Sequence, residues 1–283
     1  MSDSADRAGA LRRQIEDIER ESEAKAVAVA VHDTDSGFSL RYHADRWFHA
    51  ASTIKVPILL GVFEAIDRGV LLPYSRVHVR NRFRSVVKGI PFRIESDRDA
   101  NSAVHAAIGK TMRVEELAFH MIATSSNLAT NLLLDLVGLE AVQKTLRDLR
   151  VDEGIDVKRG VEDELAFEKG ISSRVTANGL LRILLLLAEG KAFSQKLSES
   201  MMKILHTQEF NNGIPALLPK GTRVAHKTGD ISTVAHDAGV VYLPDRKPYV
   251  VVVLTEWEAD GSGRSHAIAS ISHAVYEALT VKS

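Results

Sequence analysis

Apolar residues recur at helical spacing between Ala8 and Glu23, with Leu11, Ile15 and Ile18 on one face, which predicts an amphipathic helix. Two strand patterns follow. Ala26 to Val31 is a continuous apolar run and Phe38 to Tyr42 alternates, with Asp33-Thr34-Asp35-Ser36-Gly37 as the turn between them. That is an antiparallel hairpin. From about Ser52 to Gly190 the signals are mostly helical, over Ile54–Arg68, Arg113–Thr124, Asn127–Val137, Leu139–Leu149 and Ala177–Glu189. Strand patterns return at Arg223–His226, Ala238–Leu243 and Tyr249–Leu254, with a turn at Asp245 to Pro248, before a last helix from about Ser265 to Leu279.

Strands at both ends with helices between them predict an α+β fold in which the terminal segments share one antiparallel sheet flanked by the terminal helices. The expected division is residues 1–55 with 200–283 as the sheet unit, and 56–199 as an inserted all-helical unit. A site built across the junction would occupy the cleft between them.

Composition narrows the function classes. The 283 residues are 45% hydrophobic and 26% charged with a net charge of −1, so nothing overall favours nucleic acid or an anionic membrane. There is no cysteine, which removes disulfides, thiol catalysis and thiolate metal sites. No window approaches a membrane span; Leu180 to Ala188 is apolar but short and contains Arg182. The polar start, Met1 to Arg7, has no apolar core of a leader peptide, so a cytoplasmic location is expected, or a periplasmic or secreted one if a leader was removed. A monomer is expected. Arg76 to Arg98 is locally basic, but Glu95, Asp97 and Asp99 border or interleave it, and a solvated loop is the expected reading.

Candidate chemistry begins at Ser52-Thr53-Ile54-Lys55. The S-x-x-K spacing also occurs at Ser22, Ser85 and Ser200, so company decides its meaning. Ser52 opens an apolar helical run, and Ser125-Ser126-Asn127, Glu162-Asp163-Glu164 and Lys227-Thr228-Gly229 follow in that order. A lysine three residues after a serine lies on the same helical face, and it can act as a base if desolvation or a second cation lowers its pKa. Val56-Pro57-Ile58 suits desolvation, and Lys227 supplies the second charge. Ser125 can relay a proton to a leaving group, Asn127 can hold an amide, Lys227 and Thr228 can hold a carboxylate, and Glu162 can activate water. Each element has a plainer reading alone: Ser52 and Ser125 as helix caps, Lys55 on the surface, Glu162 in a solvated acidic loop. No H-E-x-x-H, G-x-S-x-G, P-loop or G-x-G-x-x-G occurs, and His236, beside Asp237 near a strand start, reads as structural because no G-x-S-x-G serine is available for a triad.

These four elements make the chain resemble the class A β-lactamases and their relatives among the penicillin-recognising serine hydrolases, over nearly its whole length. The resemblance implies the β-lactamase/transpeptidase-like fold and hydrolysis of a small-molecule β-lactam, or a related amide or ester, without metal or cofactor. It implies Ser52 as the acylated nucleophile with Lys55 as its partner. Ser125 would protonate the leaving nitrogen and Asn127 would hold the substrate amide, with Asn131 supporting. Lys227, Thr228 and Gly229 would receive the carboxylate end of the substrate, and the backbone N–H groups of Ser52 and Asp230 would form the oxyanion hole. Glu162 would be the general base of an omega loop running from Arg159; which of Lys55 and Glu162 is the acylation base stays open. The chain departs from the family pattern at Ser126, where an Asp is usual, and at Ala166, where an Asn helps hold water. The omega loop reads as short, and no Arg follows Lys227-Thr228-Gly229 on its strand. A related peptidase or esterase, or a penicillin-binding sensor that deacylates slowly, are the competing readings; Glu162 speaks against a pure sensor.

Overall fold

The computed structural model describes residues 2–259 and 261–280. Its centre is a five-stranded antiparallel sheet in the order Arg223–Ile231, Val234–Tyr242, Tyr249–Glu256, Ala26–Asp33, Ser39–Tyr42. The N-terminal strand Ala26–Asp33 pairs along its whole length with Tyr249–Glu256, from Ala26 opposite Glu256 to Asp33 opposite Tyr249. Chain ends and sheet centre thus coincide, as the hydrophobic pattern predicted.

Both faces of that sheet are covered, which is why Ala26 to Val31 reads as a continuous apolar run rather than an alternating one. Val27, Val29, Val31, Val251 and Val253 pack on one face against Leu11 and Ile15 of the first helix, Ser2–Ser22, and Ile271 and Val275 of the last, Arg264–Thr280. The opposite face carries Ala28, Ala30, Val250, Val252 and Leu254 and joins the larger core, with Leu180 and Leu184 of the helix Ala177–Ala188. The small residues Ala28 and Ala30 let helices approach closely on that side, and each large apolar side chain buried there stabilises the fold by about 1.5–3 kcal/mol.

The expected helices between the sheet segments form as Lys55–Asp67, Val114–Ala123, Asn127–Val137, Leu139–Asp148 and Ala177–Ala188. An amphipathic helix at Gln195–Leu205, which the sequence reading did not pick out, follows them. Short strands also occur in this block: Arg76–His78 with Thr111–Arg113, Phe83–Arg84 with Pro91–Phe92, and a small sheet of Phe48–His49, Arg174–Val175 and Ile155–Asp156. At two or three residues each they are too brief to leave a period in the sequence. Strand Arg223–Ile231 runs well past the expected end at His226, and its partner begins at Val234 rather than Ala238. The polar residues of this stretch are buried, so hydropathy hides the strand. Among the described residues, no helix is long and apolar enough to cross a membrane.

Candidate active site

Ser52 lies in a single 3-10 turn, Ala51–Ile54, that leads into the helix Lys55–Asp67. Its side chain does not cap that helix, which removes the plainer reading of Ser52 as a cap and leaves the hydroxyl to other partners. Ala51, just before it, adopts φ +44, a left-handed conformation that a non-glycine residue holds only where the surroundings force it. Lys55 is fully buried, as are Val56 and Ile58 next to it along the chain. Its Nζ reaches four oxygens: Ser52 Oγ at 3.0 Å, Ser125 O at 2.6 Å, Ser125 Oγ at 3.0 Å and Asn127 Oδ1 at 2.8 Å. Burial pushes the Lys55 pKa well below the ordinary lysine value and the charge of Lys227 adds to that, against the opposing pull of Asp99 and Glu162.

Ser125 sits in the turn between the helices Val114–Ala123 and Asn127–Val137, also with a left-handed backbone at φ +58. That geometry turns both its carbonyl and its hydroxyl onto Lys55. Ser126 is the N-cap of the second helix, its hydroxyl accepting from Ala129 N at 3.1 Å. Asn127 faces two ways: Oδ1 accepts from Lys55, while Nδ2 donates to Glu162 Oε1 at 3.3 Å and to Arg98 O at 3.2 Å.

Glu162 is positioned by the chain on either side of it. Asn131, buried on the helix Asn127–Val137, accepts from Val161 N and donates to Val161 O, each at 2.9 Å. A β-carbon at Gly160 would fall 2.7 Å from Asn131 Oδ1, so the close approach requires glycine there. Glu162 itself has φ +58, and Asp163 caps the short helix Glu164–Glu168 through Ala166 N at 3.2 Å. Ala166 is buried beneath the loop. Glu162 Oε2 lies 2.7 Å from Arg98 Nη2, and Arg98 also bonds Glu164. The basic residues of Arg76 to Arg98 are exposed, as expected of a solvated loop, and Arg98 in addition bonds the omega loop across the cleft.

Lys227, Thr228 and Gly229 lie on Arg223–Ile231, the edge strand, whose unpaired side faces Ser52. Lys227 is fully buried and donates to Thr228 O at 2.9 Å; burial brings its pKa down to about 7, partly offset by Asp237. Asp230, next along the strand, accepts from Arg264 Nη2 at 3.0 Å. Arg264 begins the last helix, distant in sequence from the strand residue that it contacts. His236 and Asp237 do not pair with each other. His236 is buried with Nε2 2.9 Å from His49 O, its pKa brought down to about 4 by burial, and Asp237 pairs with His226 Nδ1 at 2.9 Å.

Two cavities meet at Ser52. One, of about 330 Å³, is bounded by Ser125, Thr228, Asp237 and Phe210. The other, of about 590 Å³, lies under the omega loop against Glu162, Phe167 and Ile231. Ser52, Arg98, Asn127 and Asp230 line both. All ten residues expected at the site thus lie in or immediately behind one cleft. Sequence reading missed Arg98, Asp99 and Arg264; the first two carried a signal only as part of a charged stretch. A serine hydroxyl against a buried amine, a second hydroxyl on that amine and a carboxylate two hydrogen bonds away form a set able to transfer an acyl group and then release it.

A sequence model of the β-lactamase enzyme family matches residues 10–279. A β-lactamase of Bacteroides uniformis is 26% identical over 273 residues, covering 89% of this chain and 86% of that protein. Among solved structures, a mutant of PBP-A captured as an acyl-enzyme with penicillin G superposes with a TM-score of 0.80 at 26% identity, covering 96% of each chain. An ancestral class A β-lactamase does so with a TM-score of 0.80 at 26% identity, covering 95% of this chain and 99% of the other. Sequence and fold agree: the chain belongs to the β-lactamase enzyme family, as a class A-like serine hydrolase.

Proposed function

We propose that the protein opens β-lactam rings through an acyl-enzyme on Ser52. The observation that carries this reading is the Lys55 amine, 3.0 Å from both Ser52 Oγ and Ser125 Oγ. A neutral lysine there accepts the Ser52 proton as Oγ attacks the lactam carbonyl. The backbone N–H groups of Ser52 and Asp230 receive the oxyanion. As the C–N bond breaks, Ser125 passes its proton to the departing nitrogen and is reprotonated from Lys55. The lowered pKa of Lys55 and its direct contact with Ser52 favour it over Glu162 as the acylation base.

In the second step Glu162 takes a proton from water, which attacks the ester and frees Ser52. Asn127 holds the substrate amide, and Thr228 with the buried Lys227 receives the carboxylate, with Gly229 leaving room along the strand edge. Arg264 stands beside Asp230 at the same end. Ala166 contributes no side-chain amide to the water site, so Glu162 is held instead by Asn127 and Arg98.

The test is steady-state hydrolysis of a chromogenic cephalosporin by the protein and by Ser52→Ala, read from loss of the lactam absorbance. Turnover by the protein alone is expected. Turnover of an aryl ester with no lactam opening would move the reading to a related esterase.

A further inference from the structure

Arg98 and Asp99 are adjacent residues on one loop, yet their side chains go to different parts of the site. The Asp99 carboxylate is buried beneath the start of the helix Asn127–Val137. It accepts from Ser126 Oγ at 3.1 Å, Asn127 N at 3.1 Å, Leu128 N at 3.0 Å and Asn101 N at 3.3 Å. His105 Nε2 lies 3.2 Å away. A buried carboxylate is tolerated only with such a set of donors, and helix-start N–H groups are otherwise unpaired. Asp99 therefore holds the turn of Ser125, Ser126 and Asn127 from below. The left-handed Ser125 backbone, which aims its hydroxyl at Lys55, needs that kind of external hold to persist. Ser126 has no acid of its own to perform this task.

Arg98 faces the other way. Its guanidinium bonds Glu162 and Glu164 on the omega loop, while its carbonyl accepts from Asn127 Nδ2. Glu162, like Ser125, has a left-handed backbone, and two charge-assisted contacts restrain its loop from across the cleft.

We propose that Arg98-Asp99 is a two-residue strut that positions the two halves of the reaction separately: Asp99 sets the Ser125–Asn127 turn for acylation, and Arg98 sets Glu162 for deacylation. The proposal rests on the acyl-enzyme reading above. Neither residue is a proton carrier; each acts through the group it holds.

The experiment is rapid-quench intact mass with a simple penicillin, giving the acylation and deacylation rate constants separately for each variant. Asp99→Ser is expected to slow acylation by about 100-fold with a smaller effect on deacylation, since a displacement of order 1 Å has that cost. Moving the carboxylate, in Asp99→Ser with Ser126→Asp, is expected to recover at least ten-fold of the loss. Arg98→Met is expected to slow deacylation by about ten-fold and leave acylation within three-fold, with Arg98→Lys between the two. A purely structural role would lower the fraction of active protein and leave both rate constants unchanged. Equal effects on the two steps, or none from either residue, would overturn the strut. No adduct on the unaltered protein would overturn the acyl-enzyme reading and the strut with it, whereas an adduct with an unchanged partition in the variants overturns the strut alone.

Discussion

Gly229 runs so close to Ser52 that a β-carbon on it would stand 3.1 Å from the Ser52 backbone nitrogen, and as near to that of Thr53. The edge strand and the nucleophile turn are therefore packed backbone to backbone, with the proposed oxyanion donors on either side of the contact. Gly229→Ala must push the strand and turn apart by a few tenths of an ångström. We expect kcat/KM for a penicillin to fall by about 100-fold, because donors aimed at a developing charge lose their effect when displaced. Activity within three-fold of the unaltered protein would show that this spacing is not used.

Glu162→Gln keeps the shape of the side chain and removes its ability to take a proton. We expect acylation to continue and the adduct to accumulate, with deacylation slower by about 100-fold or more. Mass spectra during turnover check this, and an unchanged decay rate would assign water activation elsewhere.

Burial holds the Lys227 pKa at about 7, against 10.5 for the exposed group, and shifts Lys55 in the same direction. Between about pH 7 and 10.5 the unfolded chain binds a proton at Lys227 that the folded chain does not. The free energy of unfolding should therefore rise with pH across that window, and below it the full cost of burying the charge opposes folding. Denaturant melts at a series of pH values are expected to show this rise, and Lys227→Met to flatten it. An equal slope in the variant would mean that Lys227 is not the group responsible.

Asn131→Leu removes both hydrogen bonds to the part-buried backbone of Val161. A stability loss of about 1–3 kcal/mol is expected from two lost hydrogen bonds. Because the loop they anchor carries Glu162, deacylation should slow more than acylation. Equal slowing of both steps would place the role of Asn131 elsewhere.

Much of this arrangement was legible in the chain. Ala26 to Val31 and Tyr249 to Leu254 announced the sheet centre, and the spacing of Ser52 and Lys55 became meaningful through the elements that followed them. What hydropathy hid was polar and buried. Lys227, His236 and Asp237 lie within strands yet read as polar interruptions, so hydropathy alone outlines both strands too short. Asp99 is buried by donors that come from Ser126, Asn127 and Leu128, a pairing across the fold that no local pattern announces. Arg264 lies far along the chain from the strand end it serves.

Ser52 is the residue expected to carry the acyl group. The most direct measurement is peptide mapping of the protein quenched during turnover of a simple penicillin, with Ser52→Ala alongside. The expected result is an adduct with the mass of the whole penicillin on the peptide containing Ser52, disappearing as substrate is consumed and absent from the variant. An adduct on any other residue, or penicillin hydrolysis that survives in Ser52→Ala, would contradict it.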